Sequence, residues 1–170
     1  MRVALAAAIV AMLAVNGAGP AGPALRISPA FAQQSANPQA PSDRASYMPA
    51  AEVAAALAKG KPDSRSTNVR VFSLGPYNVN VEKRNPVAQG ASSHEVVAEL
   101  FHVIDGAGTI VTGGTIPNAT KNGTNLSGKA IQGGTRQAVS KGDWILVPSG
   151  VPHEFVDIKG NLTLMSLYLP

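Results

Sequence analysis

One segment of the chain, GDWILVPSGVPHEF (residues 142–155), places His153 directly after a rigid turn. An apolar strand leads into this turn, which is formed by residues 148–150 and contains proline and glycine. Pro152 keeps the residue before it extended, so that His153 begins the next strand in a fixed direction. His153 and Phe155 share one face of that strand. If Phe155 points into a core, a buried imidazole lies beside it and needs a hydrogen-bond partner or a metal.

A second segment, SSHEVVAELFHVIDGAG (residues 92–108), contributes another histidine and a glutamate. Four residues separate His94 from Glu99, so on one straight strand the two side chains would point to opposite faces. The spacing is long enough for a bend between two consecutive strands. Both side chains can then point inward. Within the second strand, Glu99 and Phe101 line one face, and His102 lies on the other. We therefore expect His102 to be a surface or inter-sheet histidine.

The surrounding sequence predicts an all-β domain. From Asn68 onward, β-branched and aromatic residues occur in seven or eight short runs that are cut by glycine, proline and asparagine. The runs Trp144–Val147 and Leu162–Leu169 are apolar at both parities, which predicts burial on both faces and makes Trp144, like Phe155, a core residue. Residues 113–137 are polar and rich in glycine, which predicts a long exposed loop with at most a short hairpin.

The first 32 residues have the pattern of a signal peptide. Arg2 precedes an apolar run at residues 3–15, which is too short to span a bilayer, and an A-x-A site ends at Ala32. We expect a periplasmic or secreted protein without stable membrane association after cleavage; the alternative is a retained lipophilic anchor. Residues 33–45 are predicted to be a disordered linker.

A short helix is predicted over residues 46–60. Ser46 is a possible N-cap, Pro49 falls in the first turn and Gly60 is a stop signal. A helix this short is marginal by itself, so we expect Val53, Ala56 and Leu57 to pack on the barrel that follows.

Composition excludes several classes of function. The chain has 14 basic and 10 acidic residues, and removal of Arg2 and Arg26 with the leader leaves 12 against 10. No basic stripe interleaved with aromatic residues is present, which argues against a nucleic-acid partner. Cysteine is absent, which excludes thiol chemistry, disulfides and cysteine-bound zinc.

The two segments resemble the two motifs of the cupin superfamily. The second motif, G-x5-P-x-G-x2-H-x3-N, is matched by Gly142, Pro148, Gly150 and His153, with Asp157 in place of the asparagine.

The first motif, G-x5-H-x-H-x3-4-E-x6-G, is matched by His94, Glu99 and Gly106. Ser92 occupies the position of the first histidine, and Pro86 replaces the first glycine.

The resemblance implies a cupin-type double-stranded β-helix, or jelly-roll barrel, over residues 67–170, with one short N-terminal helix. It also implies a metal site made by His94, Glu99 and His153. Two imidazoles and one carboxylate suit a divalent ion such as iron, manganese, nickel or zinc and leave coordination positions open. Ser92 is a poor fourth ligand, and it could instead hold a metal-bound water.

Three functions are compatible with these residues. The first is a metal-dependent enzyme that performs oxygenase, isomerase or lyase chemistry on a small molecule. The second is a non-catalytic binder of a small ligand or metal. The third is a structural module that pairs through an exposed sheet edge, and a homodimer is the oligomer that such pairing would give. Without metal, Glu99 could instead be a buried acid that shares a proton with His94 or His153.

Overall fold

The computed structural model describes residues 39–170, which form one helix and ten strands. The predicted signal peptide and residues 33–38 of the predicted linker lie outside the described residues. The elements are α1 (Ala50–Leu57), β1 (Ser66–Leu74), β2 (Tyr77–Arg84), β3 (Ala91–His94), β4 (Ala98–Thr112), β5 (Thr120–Asn122), β6 (Asn125–Gly128), β7 (Thr135–Ser140), β8 (Trp144–Val147), β9 (His153–Val156) and β10 (Leu162–Leu169).

The strands form two antiparallel sheets that share the long strand β4. Sheet 1 has the order β1-β2-β10-β4-β8 and uses the first half of β4. Sheet 2 has the order β7-β4-β9-β3-β6-β5 and uses the second half. The two sheets therefore enclose a common interior, and the predicted all-β class is confirmed.

Strand β4 changes sheets at Gly106. This residue has φ +86°, and a Cβ there would lie 2.0 Å from the backbone oxygen of Asn161. Only glycine allows so close a backbone approach in this conformation. The glycine is thus required for the strand to pass from one sheet to the other.

The core lies between the two sheets, and every strand that supplies it alternates inward and outward residues. Phe101, Val103, Leu162 and Leu164 are fully buried, and Phe155 is 1% exposed. The prediction that Phe155 is a core residue is confirmed. Because His153 shares the face of Phe155, the core also fixes the direction in which the imidazole points.

Some strands were missed because their sequences are polar and short. β3 reads ASSH, and β5 and β6 read TKN and NLSG. The last two form a hairpin inside residues 113–137, as the sequence allowed, and β6 pairs with β3. This segment is therefore part of sheet 2 rather than only an exposed loop.

Helix α1 is shorter than predicted. It begins at Ala50, and Pro49, not Ser46, is the N-cap residue, without a side-chain cap hydrogen bond. Proline fits there because it has no backbone N–H to satisfy. As expected, Val53, Ala56 and Leu57 are the partly buried residues of the helix, which packs against β1 and β2. No helix among residues 39–170 is long and apolar enough to cross a membrane.

The prediction that Trp144 is a core residue is wrong. Its side chain is 62% exposed, and Leu146 is 59% exposed. Val147, on the opposite face of β8, is buried, and Ile145 packs against the core. The strand is apolar at both parities, but only its inner face meets another layer of this chain.

Candidate metal centre

The structure brings His94, Glu99 and His153 together inside the barrel. Nε2 of His94 and Nε2 of His153 each lie 3.3 Å from Oε2 of Glu99. The three ligand atoms all lie within 4.8 Å of one another. Glu99 is 3% and His153 is 5% exposed, while His94 is partly buried. Residues predicted from motif spacing alone thus converge on one point.

The backbone around the two motifs explains this convergence. His94 ends β3 and Glu99 lies near the start of β4, so the bend between them allows both to point inward. The turn before β9 is tied to β3, because the N–H of Gly150 donates to the carbonyl oxygen of His94 at 2.7 Å. The hydroxyl of Ser93 donates to the carbonyl of Gly150 at 2.9 Å. Gly150 has φ +79°, which favours glycine.

Both imidazoles are held at their Nδ1 atoms. Nδ1 of His94 lies 2.8 Å from Oδ1 of Asn125, and Nδ1 of His153 lies 3.3 Å from the carbonyl oxygen of Val151. A carbonyl oxygen only accepts hydrogen bonds, so each ring can donate to its partner in the form that carries a proton on Nδ1. In a neutral imidazole with this tautomer, Nε2 directs a lone pair at Glu99, whereas in a protonated imidazolium Nε2–H donates to the carboxylate. The neutral form is the arrangement in which histidine binds a metal while its other nitrogen is oriented by a neighbour.

Two lone pairs and a carboxylate oxygen repel each other unless a cation lies among them. A proton on Nε2 can meet this need, and so can a metal ion. An ion that binds nitrogen and oxygen at about 2.0–2.2 Å has neighbouring donor atoms about 3.0–3.5 Å apart. The two 3.3 Å separations fall in that range. All three ligand atoms lie within 4.8 Å of one another, so the cluster could hold a divalent ion.

The interaction of Glu99 with the two imidazoles shifts the pKa values of Glu99 and His94. Burial would raise the pKa of Glu99, but hydrogen bonds from His153 and His94 outweigh it and lower the pKa to about 2. The hydrogen bond with Glu99 raises the pKa of His94 above 6.5, against the effect of burial. Glu99 is therefore an anion at all ordinary pH values, as a metal ligand must be.

Aromatic rings surround the cluster. The ring of Tyr168 packs edge-on against His94 at 5.2 Å, and Phe101 packs against His153 at 6.0 Å between ring centroids. Burial, followed by the charges of Glu99 and Glu82, raises the pKa of Tyr168, so its hydroxyl stays protonated. The two rings thus cover one side of each imidazole.

A cavity of about 320 Å³ opens next to His94. His94 is the only one of the three cluster residues that lines it, together with its neighbours Asn125 and Tyr168. The rest of the lining comes from Pro76, Asn78, Val96, Val97 and Thr124. We call this space the mouth cavity, since it adjoins the cluster at His94.

Ser92 lies next to the cluster, where the motif's first histidine is missing. It is the Cα partner of His153 across the β3–β9 pair. It shares a face of β3 with His94, because the two residues are two positions apart. Its side chain is partly buried.

His102 points away from the cluster, as predicted. Its ring stacks on Trp144 on the outer face of sheet 1, with centroids 4.2 Å apart. It therefore takes no part in the cluster.

Sequence reasoning missed two neighbours of the cluster, Asn125 and Tyr168. Asn125 lies in the polar loop region, where it belongs to an N-x-S/T pattern that gives no indication of a contact with His94. Tyr168 could have been found from alternation along β10, because it is two residues from the buried Ser166, which is itself two from the buried Leu164.

A polar network inside sheet 1 was also missed. Glu82 is 5% exposed and accepts hydrogen bonds from Ser166 at 2.9 Å and from Arg84 at 2.6 Å. Asn80, 2% exposed, accepts from Arg70 at 2.5 Å and donates to Ser166 at 3.4 Å. These side chains extend the polar interior beyond the three cluster residues.

Four further residues of β1 and β2 lie in different surroundings, namely Arg70, Tyr77, Asn80 and Arg84. Arg70 and Asn80 belong to the interior network just described, as does Arg84, whose guanidinium lies 4.9 Å from the ring centroid of Phe155. Tyr77, by contrast, is 47% exposed.

Comparison with known proteins gave matches among solved structures only. No protein-family model and no curated protein sequence matches the chain. The TT1209 protein of Thermus thermophilus is 15% identical over 67% of this chain and 90% of that chain, with a TM-score of 0.49. KdgF from Halomonas sp. is 16% identical over 62% and 79%, with a TM-score of 0.45. A cupin-superfamily sugar phosphate isomerase from Silicibacter pomeroyi is 17% identical over 62% and 60%, with a TM-score of 0.44.

At these identities and TM-scores, the likeness carries no argument about the reaction. The chain's own features are more direct, because its two motif segments meet in the interior of a barrel whose two antiparallel sheets share one long strand. Its fold is the cupin-type β-barrel.

Proposed function

We propose that the chain binds a divalent metal ion between His94, Glu99 and His153 and uses it to act on a small molecule. The observation that carries the proposal is the contact of both Nε2 atoms with one carboxylate oxygen at 3.3 Å, while both Nδ1 atoms are held by acceptors. A buried cluster with this polarity is built to receive a cation.

The donor set indicates the kind of ion. Two imidazoles and one carboxylate suit iron, manganese, nickel or zinc, and three protein ligands leave positions open. A bound ion of this kind supplies a Lewis acid to a small molecule at those positions. The protein's own contribution is to hold the three ligands, to cover one side of each imidazole with Phe101 and Tyr168, and to provide a cavity beside His94.

The mouth cavity supports a small polar molecule as substrate. Its walls combine the amides of Asn78 and Asn125 with the protonated hydroxyl of Tyr168 and the side chains of two valines. These groups donate and accept hydrogen bonds but include no acidic side chain. The reaction class stays open among oxygenation, isomerisation and lyase chemistry.

A second candidate, a non-catalytic metal or ligand binder, is favoured by Ser92. A neutral hydroxyl is a weak ligand where the cupin motif has a histidine, so metal affinity should be lower than at a four-ligand site.

Elemental analysis tests metal binding directly. We expect near-stoichiometric metal in the wild-type protein after incubation with metal and removal of the excess. His94→Ala, Glu99→Gln and His153→Ala should each lose it while retaining the circular dichroism of the fold. His102→Ala is the matched control, because this histidine lies on the outer face and should not change the metal content. Equal metal in all five proteins would refute the site.

A ligand screen separates the two candidates. Small polar molecules are tested for thermal stabilisation of the metal-loaded protein, and each hit is then followed for chemical conversion. Conversion that requires the metal and fails in Glu99→Gln supports an enzyme. Metal-dependent binding of hits that are all recovered unchanged supports a binder.

We also propose that the protein is exported, on the strength of the sequence pattern of residues 1–32. Cell fractionation with mass spectrometry of the mature N-terminus tests this. An N-terminus at Gln33 in the exported fraction is the expected result, and intact protein that stays in the cytoplasm would contradict it.

A further inference from the structure

The mouth cavity has side-chain amides on two of its walls. Asn78 belongs to β2 and Asn125 to β6, so the two amides come from different sheets. In sheet 1, Asn78, Tyr168 and Glu99 are Cα partners in one row across β2, β10 and β4. In sheet 2, Asn125 is the Cα partner of His94. Both amides therefore lie beside the cluster, and Asn78 is two strand spacings, about 10 Å, from Glu99.

The carbonyl oxygen of the Asn78 side chain is already occupied. It accepts hydrogen bonds from Nη1 of Arg70 at 2.6 Å and from the hydroxyl of Ser73 at 2.8 Å. A guanidinium only donates, so the oxygen of the amide faces Arg70 and the NH2 group faces away from it. Within residues 39–170, Nδ2 of Asn78 donates no hydrogen bond. Because Asn78 lines the mouth cavity, its N–H donors are available to a molecule there.

The carbonyl oxygen of the Asn125 side chain is occupied in the same way when His94 is a metal ligand. Nε2 of His94 is then free for the ion, and Nδ1 carries the proton that is donated to Oδ1 of Asn125 at 2.8 Å. In the described part of the chain, Nδ2 of Asn125 also donates no hydrogen bond. Both amides therefore present donors to the mouth cavity, while their acceptor oxygens are engaged elsewhere.

The charges near the cavity favour an anion once a metal ion is bound. The interior network and the cluster contain two arginines and two glutamates whose charges cancel, namely Arg70, Glu82, Arg84 and Glu99. A divalent ion adds two positive charges that no side chain of this set balances. No acidic side chain lines the mouth cavity itself. A small anion that binds there therefore meets a net positive charge.

We propose that the mouth cavity binds a small carboxylate, an inference that rests on the metal-dependent function proposed above. The two oxygens of a carboxylate accept hydrogen bonds and donate none, which matches two amides whose free groups only donate. A polyol matches less well, because its hydroxyl protons need acceptors and the amide oxygens are engaged. The volume of about 320 Å³ is near the lower end of the range for ligand pockets, about 300–1,000 Å³, so the acid is small.

A phosphate monoester fits the mouth cavity less well than a carboxylate does. Its dianion has three acceptor oxygens and is typically held by arginine or lysine side chains through charge-assisted hydrogen bonds. Neither residue type lines the cavity. Arg70 lies behind Asn78, and its contact with the amide oxygen orients the amide toward a ligand.

Asn78→Asp tests the proposal, because it replaces the NH2 donor by an acceptor with almost no change of shape. The new carboxylate can keep the contacts with Arg70 and Ser73, so the circular dichroism of the fold should be retained. The probe is pyruvate, titrated by calorimetry into the zinc-loaded protein. We expect pyruvate to bind about tenfold or more weakly to Asn78→Asp, since repulsion between carboxylates replaces a hydrogen bond to a charged group. Asn78→Ala, which removes the donor without adding charge, should also weaken binding.

Asn161→Asp is the matched control, because Asn161 is exposed and lies outside the cavity but receives the same change of charge. It should bind pyruvate like the wild type. The zinc content is measured in every sample, and Asn78→Asp should hold as much zinc as the wild type, since Asn78 is not one of the three ligands. Phosphoglycolate is titrated in parallel and should bind more weakly than pyruvate.

The results distinguish a failure of the carboxylate site from a failure of the metal site. A zinc-loaded wild type that does not bind pyruvate, or binds it no more tightly than the two Asn78 variants do, would overturn the carboxylate site and leave the metal site standing. Tighter binding of phosphoglycolate than of pyruvate would assign the cavity to phosphate esters instead. A wild type that takes up no zinc would refute the proposed function. In that protein, pyruvate binding that is lost in Asn78→Asp would still support the carboxylate site, and its absence would overturn it as well.

Discussion

A single carboxylate oxygen of Glu99 serves both imidazoles of the cluster. Because His94 and His153 approach the same atom, neither contact is independent of the other. The orientation of each ring is set from behind, by a backbone carbonyl for His153 and by a side-chain amide for His94. A substitution cannot remove the backbone carbonyl that holds His153, but it can remove the Asn125 side chain that holds His94. Asn125 is therefore the residue whose substitution tests how the imidazole is oriented.

Asn125→Ala should weaken metal binding about tenfold, because loss of a neighbour that orients a ligating histidine costs about 10–100-fold in affinity. The free imidazole can then rotate or donate from the wrong nitrogen. Competition with a chromophoric chelator measures the affinity. Asn122→Ala is the control, since Asn122 is exposed on the same hairpin and is the Cα partner of Asn125 in the β5–β6 pair. Equal affinities in the two variants would show that Asn125 does not orient His94.

Stability of the metal-free protein should pass through a maximum in mildly acid solution. The pKa of Glu99 is lowered from 4.5 to about 2. Its contribution to the free energy of unfolding is therefore fully present above pH 4.5 and is lost as the pH falls through about 2. The pKa of His94 is raised above 6.5, so its contribution is fully present below 6.5 and is lost as the pH rises through the raised value. Both contributions coexist between pH 4.5 and 6.5.

Urea unfolding in the presence of a chelator measures this pH profile. Glu99→Gln should flatten it, because the amide neither titrates nor pairs with an imidazolium. Glu95→Gln should keep the wild-type profile, since Glu95 makes only a surface ion pair with Lys121. Identical profiles for the wild type and Glu99→Gln would show that the cluster does not couple to folding.

Motif spacing predicted His94, Glu99 and His153 because turn residues and strand alternation fix the direction of each. The role of Asn125 could not be predicted in this way. Its contact with His94 depends on how β6 pairs with β3, and this pairing joins two polar strands whose sequences carry no apolar alternation.

In strand β2 the side chains that point into the barrel are the opposite of those that hydrophobic alternation predicts. Alternation in YNVNVEKR is clear, but the ordinary rule would turn Val79 and Val81 inward. The structure turns Asn80 and Glu82 inward instead, where Ser166 contacts both. The inversion is possible because the polar groups bond to one another, and it is useful because it adds polar groups to an interior that holds the cluster.

The passage of strand β4 from one sheet to the other depends on Gly106. Gly106→Ala should cost about 2–5 kcal/mol of unfolding free energy, the sum of left-handed backbone strain and an overlap with neighbouring backbone. The added Cβ would lie 2.0 Å from the backbone oxygen of Asn161. Strand β4 could then no longer turn from one sheet to the other without moving β10.

Gly142→Ala separates the cost of backbone strain from the cost of steric overlap. Gly142 has φ +95°, similar to the +86° of Gly106, but no heavy atom lies within 4 Å of the Cβ position. It should therefore cost only the backbone strain, about 1–2 kcal/mol. Equal losses by urea unfolding in the two variants would mean that the approach to Asn161 is relieved without cost.

Across the whole molecule, the candidate site connects the two sheets. Glu99 lies in the part of β4 that belongs to sheet 1, whereas His94 and His153 lie on β3 and β9 of sheet 2. His94 and Glu99 are close in the chain, but His153 is far from both, so all three meet only when the barrel has closed. An ion held by all three therefore binds the folded state and not the unfolded one.

This linkage predicts that metal stabilises the entire barrel. At free metal one hundred times the dissociation constant, the gain is about 2.7 kcal/mol. For a domain of this size, that gain corresponds to a rise of about 10 °C in Tm. Calorimetry should show this rise for the wild type and for His102→Ala but not for Glu99→Gln or His153→Ala. Because the ligands span both sheets, the melting transition should stay single and move as a whole. A separate second transition on metal addition would show that the ion stabilises one sheet alone and that the two sheets do not fold as a unit.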